Sequence, residues 1–106
     1  MTDIPCPTDA EGYLTHLQDW TPELAETMAK NDDLVLTAAH WEIIYFLRDY
    51  YAEYQVAPPM RTLTRKIGTK LGRDKAHSRY LYHLFPYGPS KQASRYAGLP
   101  KPTRCI

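Results

Sequence analysis

The segment 38–54 carries the pattern that most restricts how this chain can fold. Apolar and aromatic side chains recur there at helical intervals, namely Trp41, Ile44, Tyr45, Leu47 and Tyr51. Thr37 is a suitable N-cap before the segment, and the pair Pro58-Pro59 prevents its continuation. The pattern therefore predicts a long core helix from about Ala38 to Tyr54, which other elements must cover.

Two helices with clear end signals are predicted on either side of this core helix. In the first, Thr21 is the N-cap, Pro22 suits the first helical position, and Leu24 and Met28 form the buried stripe. The first helix should end at residues 31–33, an Asn-Asp-Asp run. The third helix should follow Pro59, with Gly72 at its end and one apolar stripe formed by Met60, Leu63, Ile67 and Leu71.

The remaining helices are predicted to be shorter. Asp74 is placed as the cap of a fourth helix, which carries Tyr80, Leu81 and Leu84. Ser90 is placed as the cap of a fifth helix that ends at Gly98. The third and fourth helices, joined by a tight turn, have the proportions of a helix-turn-helix pair.

The predicted fold class is all-α, a small orthogonal helical bundle with at most a minor N-terminal β element. Pro5 and Pro7 exclude a central strand in the lead. A chain of 106 residues suits one domain. We therefore expect a helical domain over 1–98 and a flexible C-terminal arm over 99–106.

Charge is distributed very unevenly along the sequence. Residues 1–54 contain eleven acidic and two basic residues, whereas residues 55–106 contain one acidic and eleven basic residues. The basic half can attract an anionic partner or pair with the acidic half. Its predicted helical face offers candidates for docking or phosphate contacts: Arg61, Arg65, Lys66, Lys70 and Arg79.

The thiol of Cys105, the next-to-last residue, is the strongest candidate for chemistry. Pro100 and Pro102 favour an extended arm, and the seven residues from Gly98 to Cys105 would reach about 22 Å at ~3.1 Å each. Arg104 and Lys101 are supporting residues, because nearby cations lower the pKa of a thiol. Since the terminal carboxylate opposes them, this activation is mild.

Other classes of site have little support in the sequence. No apolar run is long enough to span a membrane, and the acidic N-terminus does not resemble a secretory signal, so the expected location is cytoplasmic. Two cysteines and four histidines lack the spacing of a metal site, and we expect no metal and no cofactor. Cys6, between two prolines and near acidic residues, is interpreted as an ordinary surface thiol.

Several motifs resemble those of the DsrC/TusE family, over nearly the whole chain from residue 9. They include His40-Trp41-Glu42, Ser78-Arg79-Tyr80-Leu81-Tyr82, Leu84-Phe85-Pro86-Tyr87-Gly88-Pro89 and Ala97-Gly98-Leu99-Pro100-Lys101-Pro102, together with the penultimate cysteine. The short lead broken by Pro5 and Pro7 departs from the family, which has a longer segment that could pair as a β-hairpin.

The resemblance implies sulfur trafficking, with Cys105 carrying sulfur as a persulfide. Family members that form an intramolecular disulfide have a second cysteine at the position of Ser94, so this chain is similar to the single-cysteine, TusE-like members. They imply a relay from a TusBCD-like donor complex to an MnmA-like tRNA thiolase that makes wobble 2-thiouridine. Such a protein is a persulfide carrier rather than a stand-alone enzyme, and its contact with tRNA would be indirect.

Three alternatives remain open at this point. The chain could act with one cysteine in sulfur oxidation or dissimilatory sulfur metabolism, as a DsrC-like protein. It could be a helix-turn-helix regulator that binds nucleic acid through its basic face, which also includes Arg73 and Lys75. It could also be a redox regulator that forms a Cys6–Cys105 disulfide.

Overall fold

Five α-helices account for most of the structure, a computed structural model that describes residues 4–102. The helices are α1 (Pro22–Asn31), α2 (Ala38–Tyr54), α3 (Met60–Leu71), α4 (Ser78–Leu84) and α5 (Pro89–Tyr96), with 3₁₀ turns at Leu17–Asp19 and Arg73–Lys75. Within this range, pairing between extended segments is limited to one antiparallel bridge, Thr8 to Leu14. The all-α prediction is therefore confirmed, and the N-terminal β element is a single bridge.

The predicted bounds of α1 and α2 agree with the structure. The Thr21 hydroxyl accepts a hydrogen bond from the backbone N–H of Leu24 at 3.1 Å and so caps α1. The helix α2 ends at Gln55, whose φ of +60° is left-handed. Ile44 and Leu47 of the predicted stripe are buried, but Tyr45 is 46% exposed.

Two predicted caps are wrong. Asp74 lies inside the 3₁₀ turn Arg73–Lys75, and α4 begins only at Ser78 after His77. Ser90 lies within α5, where its hydroxyl donates a hydrogen bond to the carbonyl of Pro58 at 2.9 Å instead of capping the helix. Both caps were predicted from neighbouring residues alone. The position of Asp74 depends on the geometry of the 3₁₀ turn, and that of Ser90 on its hydrogen bond to Pro58.

The short helix α5 occupies the centre of the fold. It packs against α1, α2, α3 and α4. Of its eight residues, the buried ones are Pro89, Ser90, Gln92, Ala93, Ser94 and Tyr96. The hydrophobic core is therefore arranged around α5, and the long helix α2 covers one side of it.

The buried polar groups of α5 connect it to the neighbouring elements. The Tyr96 hydroxyl donates to Asp32, just after α1, at 2.6 Å and accepts from the Gln92 amide at 2.7 Å. Arg95 also forms an ion pair with Asp32. Burial, and then the bond to Asp32, raise the pKa of Tyr96 well above its ordinary value, so this hydroxyl stays a donor.

His40 joins α2 to the end of α4. Its Nδ1 accepts from the backbone N–H of Thr37 at 3.0 Å, so its Nε2 donates to the carbonyl of Leu84 at 2.7 Å. The ring also packs edge to face against Phe85. Burial lowers the pKa of His40, and the imidazole is therefore neutral in the fold.

Candidate functional site

The structure shows how the segment that leads to the predicted thiol leaves the helical body. Cys105 and Arg104 lie outside the described residues, which end at Pro102. The described base of this segment, residues 97–102, is called here the C-terminal base. Its contacts decide where the chain that carries Cys105 starts.

Gly98 makes the turn that directs the chain out of α5. It has a φ of +76°, and the N–H of Leu99 donates to the carbonyl of Ser94 at 3.0 Å. A Cβ atom at Gly98 would lie 2.6 Å from Cδ1 of Trp20. Both the backbone conformation and the close approach of Trp20 therefore favour glycine at this position.

Two side chains from distant parts of the sequence hold the end of α5. The indole Nε1 of Trp20 donates to the carbonyl of Tyr96 at 2.7 Å, and Nη1 of Arg48 donates to the carbonyl of Ala97 at 2.7 Å. The Arg48 guanidinium also lies 4.0 Å from the centre of the Trp20 ring. These bonds satisfy carbonyls that the end of a helix leaves without partners, and the cation complements the helix dipole.

Residues 99–102 are packed against the body instead of extending freely from it. Leu99 is fully buried and Pro102 is buried. The Lys101 ammonium forms an ion pair with Glu11 at 2.9 Å. The domain boundary predicted at Gly98 stays a prediction, but these contacts move the start of any free arm beyond Pro102.

Lys101 was proposed from the sequence to support the thiol. The structure shows that its ammonium forms an exposed ion pair with Glu11 of the N-terminal turn, which points it toward that carboxylate. Its observed role is to hold the C-terminal base against the turn at residues 9–12. The predicted effect of Arg104 on the thiol lies outside the described residues and stays a prediction.

A cavity of about 320 Å³ lies beside the C-terminal base. It is bordered by Arg48, Asp49 and Leu99, and also by Leu17, Tyr51, Ala52 and Gln55. Burial lowers the pKa of Arg48 from that of an exposed guanidinium. Arg48, the only arginine or lysine of α2, therefore lies next to Leu99, which anchors the C-terminal base.

Ser94 is the position at which the family resemblance described above predicts a second cysteine in the disulfide-forming members. Its side chain is fully buried in α5, and its hydroxyl has no hydrogen-bond partner among the described residues. A hydroxyl cannot attack a persulfide to form a disulfide. The buried Ser94 therefore cannot act as the nucleophile that releases sulfur from a persulfide by forming a disulfide.

The predicted basic face does not form one continuous surface. Arg65 borders a cavity of about 530 Å³ together with Arg73 and His77, and Arg79 borders an adjoining cavity of about 740 Å³. Lys66 and Lys70 face the opposite side of α3, toward α2. Arg61 is exposed, and Lys75 is paired with Glu42 at 2.6 Å.

Cys6 is half-buried in the N-terminal lead. Its thiol donates weakly to the carbonyl of Asp19, with a distance of 3.9 Å from sulfur to oxygen. This contact holds the lead beside the segment that supplies Trp20. The predicted alternative of a Cys6–Cys105 disulfide concerns a residue outside the described range, and it stays a prediction.

Two further kinds of site were searched for in the described part of the chain. Among residues 4–102, no three His, Cys, Asp or Glu side chains come together as a candidate metal site. None of the helices in this range is sufficiently long and apolar to cross a membrane.

The sequence analysis missed Trp20 and Arg48 as determinants of the C-terminal base. They contact residues 76 and 49 positions later in the chain, so no local pattern reveals them. One signal was present: Arg48 is one of only two basic residues in the acidic half of the sequence. A single arginine among many carboxylates suggests that its guanidinium donates hydrogen bonds to a specific acceptor elsewhere in the fold.

The sequence is similar to proteins named as TusE sulfurtransferases. It is 52% identical over 106 residues to the sulfurtransferase TusE homolog of Haemophilus influenzae, covering all of this chain and 97% of the relative. It is 48% identical over 99 residues to sulfurtransferase TusE of Escherichia coli K12, covering 93% and 91% of the two chains.

Solved structures show the same fold. The solution structure of Allochromatium vinosum DsrC matches with a TM-score of 0.86 and 62% identity, covering 93% of this chain and 88% of that one. The crystal structure of the oxidized γ-subunit of dissimilatory sulfite reductase from Archaeoglobus fulgidus matches with a TM-score of 0.81 and 42% identity, covering 95% and 92%. The family model described as "DsrC like protein" matches residues 1–106. The family inferred from the motifs is thus confirmed, and this chain belongs to the DsrC-like family.

Proposed function

We propose that this protein is a persulfide carrier that accepts sulfur on Cys105 and passes it to a partner protein. The observation that carries the proposal is the 52% identity to a TusE sulfurtransferase homolog along the whole chain, together with the next-to-last cysteine. The relay in question ends in the 2-thiouridine of tRNA, and it operates in the cytoplasm.

The chemistry is a transfer of one sulfur atom between thiolates. The Cys105 thiolate attacks the terminal sulfur of a donor persulfide, the S–S bond of the donor breaks, and the donor leaves as a thiolate. In the second step an acceptor thiolate attacks the terminal sulfur of Cys105–S–S⁻ and releases the Cys105 thiolate. No external oxidant or reductant is needed, because the sulfur keeps its oxidation state through both steps.

The contacts of the C-terminal base support delivery over a short distance. Because Leu99 and Pro102 are buried, two residues separate the body from Cys105, and the three residue steps from Pro102 to Cys105 span at most ~11 Å in an extended chain. This reach is about half of the ~22 Å estimated for an arm that starts at Gly98. The partners must therefore bring their thiols close to the surface of the helical body.

Ser94 supports transfer between proteins instead of cyclisation within the chain. Since a buried serine replaces the second cysteine of two-cysteine relatives, the persulfide on Cys105 has no resolving thiol at that position. The lack of a thiol at position 94 favours transfer of the sulfur to an external acceptor. We assign the donor role to a TusBCD-like complex and the acceptor role to an MnmA-like tRNA thiolase.

Intact-mass spectrometry tests the carrier function directly. After incubation with a persulfidated donor, the unmodified chain and Cys6→Ser should gain the mass of one sulfur atom, and Cys105→Ser should not. In a strain that lacks the gene, Cys6→Ser should restore 2-thiouridine in tRNA and Cys105→Ser should not. Uptake of sulfur by Cys105→Ser but not by Cys6→Ser would refute the assignment.

A second candidate function is supported by the 62% identity to Allochromatium vinosum DsrC. In this alternative, the same single-cysteine chemistry serves sulfur oxidation or dissimilatory sulfur metabolism. The strain experiment separates the two, because loss of the gene would then leave 2-thiouridine unchanged while Cys105 still accepts sulfur. The phosphate contacts predicted for Arg61, Arg65 and Arg79 stay a prediction.

A further inference from the structure

A groove between α2 and α3 has no role in the chemistry described so far. It encloses about 390 Å³, and its aromatic and apolar lining includes Phe46, Tyr50 and Leu71. Two more tyrosines on α2 line it and are nearly half exposed, Tyr45 at 46% and Tyr54 at 45%. Exposed aromatic side chains along one helix face are unusual unless another molecule covers them.

The aromatic lining is ordered by contacts within the groove. The rings of Tyr50 and Tyr54 lie 4.5 Å apart, and Phe46 lies 6.3 Å from Tyr50. The Lys66 ammonium sits 5.5 Å from the centre of the Tyr54 ring. Such a preorganised aromatic surface loses little conformational entropy when a partner covers it.

The two walls of the groove carry opposite charges that do not pair with each other. Asp49 and Glu53 line the α2 wall, and Lys66 and Lys70 line the α3 wall. In the described range, no ion pair joins these two walls, and the one ion pair near the groove links Glu42 to Lys75, beyond α3. The charged side chains of each wall are therefore available to pair with opposite charges on a molecule bound between the walls.

The structure assigns this groove to an amphipathic helix of a partner protein. The groove runs between two helices and presents aromatic and charged side chains from both, which is the setting in which a partner helix lies in a groove. The groove extends along α2 from Glu42 to Glu53, a length of about 16 Å at 1.5 Å per residue, or about three helical turns. The guest helix needs an apolar stripe, basic residues beside α2 and acidic residues beside α3.

The position of the groove fits a partner that must approach the C-terminal base. Asp49 lines both the groove and the cavity that contains Leu99. A helix docked in the groove would thus lie across α2 from the residue that anchors the base. In the proposed relay this places the partner near the short segment that carries Cys105, although the charge and shape of the groove do not depend on sulfur chemistry.

Binding of designed peptides to the full-length protein tests the assignment without the relay. The probe is a stapled helical peptide of about three turns, with leucines on one stripe, lysines on one flank and glutamates on the other. Two control peptides keep the leucines but have either lysines or glutamates on both flanks. We expect the mixed peptide to bind about tenfold more tightly than either control, because only it forms favourable pairs with both walls.

Charge-reversal variants should change this preference in opposite directions. Asp49→Lys/Glu53→Lys makes both walls basic and should favour the all-glutamate peptide, and Lys66→Glu/Lys70→Glu should favour the all-lysine peptide. Glu23→Lys/Glu26→Lys, which reverses two exposed charges on α1, is the matched control and should keep the preference for the mixed peptide. NMR shift changes should fall on α2 and α3.

Three results would overturn the assignment. They are absence of binding by the mixed peptide, a preference that the wall variants leave unchanged, and shift changes on other helices. Sedimentation of the protein alone provides the last check, since a dimer that both wall variants abolish would identify the occupant as a second copy of this chain. Thermal unfolding of each variant checks that the substitutions leave the fold intact, above all Lys66→Glu, because Lys66 is half-buried beside Tyr54.

Discussion

Leu99→Ala tests whether the chain after α5 belongs to the body. The Leu99 side chain is fully buried, and truncation of a buried leucine to alanine removes about 2–5 kcal/mol of unfolding free energy. The adjacent cavity of about 320 Å³ is open enough for neighbours and water to relax into the space. We therefore expect the lower part of that range, about 2–3 kcal/mol.

Urea unfolding, followed by circular dichroism, measures this loss. In a domain of this size about 1 kcal/mol lowers the melting temperature by roughly 4–8 °C, so thermal unfolding should shift by about 10–20 °C. Pro100→Ala is the matched control because Pro100 is exposed, and its effect should stay within about 0.5 kcal/mol. If Leu99→Ala also costs less than about 0.5 kcal/mol, Leu99 is not anchored in solution and the short reach proposed for Cys105 is wrong.

Two further substitutions test buried polar groups of the core. Folding lowers the pKa of His40 below 6.5, so below that pH the unfolded chain binds the extra proton and stability should fall, by at most ~1.4 kcal/mol per pH unit. His40→Gln should remove this part of the slope between about pH 6.5 and pH 5, and equal slopes in both proteins would contradict the buried neutral imidazole. Ser94→Ala should leave the urea midpoint unchanged or raise stability by up to ~1 kcal/mol, because its hydroxyl has no partner among the described residues. A loss of more than ~1 kcal/mol would show that the hydroxyl is bonded in solution.

The sequence predicts an element well where the determining interactions are local. Helix α2 was predicted with both of its ends because Thr37 and the proline pair act within a few residues of them. The cap assigned to Ser90 failed because the carbonyl of Pro58, 32 residues earlier, takes its hydroxyl. A serine near a helix start favours a cap only when no buried acceptor competes for it.

The residues of the candidate site likewise fall into those that the local sequence predicts and those that depend on distant contacts. Cys105 stands out in the sequence through its position and its neighbours, and the family resemblance follows from motifs along the chain. The anchoring of Leu99 and the contacts of Trp20 and Arg48 could not be predicted, because they depend on how the lead and α2 meet the end of α5. The two prolines after Gly98 favour an extended chain, but that preference does not make the segment free of the body, because Pro102 is buried.

The central place of α5 has a consequence for how the chain acquires its structure. The helix that contacts all four others is the last of the described helices in the chain, and the acidic first half, without α5, lacks the main packing partner of α1 and α2. Domains fold as units, so this core closes only when the chain is almost complete. A ribosome-bound chain that stops before Pro89 would expose the apolar residues of α1 and α2 to chaperones and proteases.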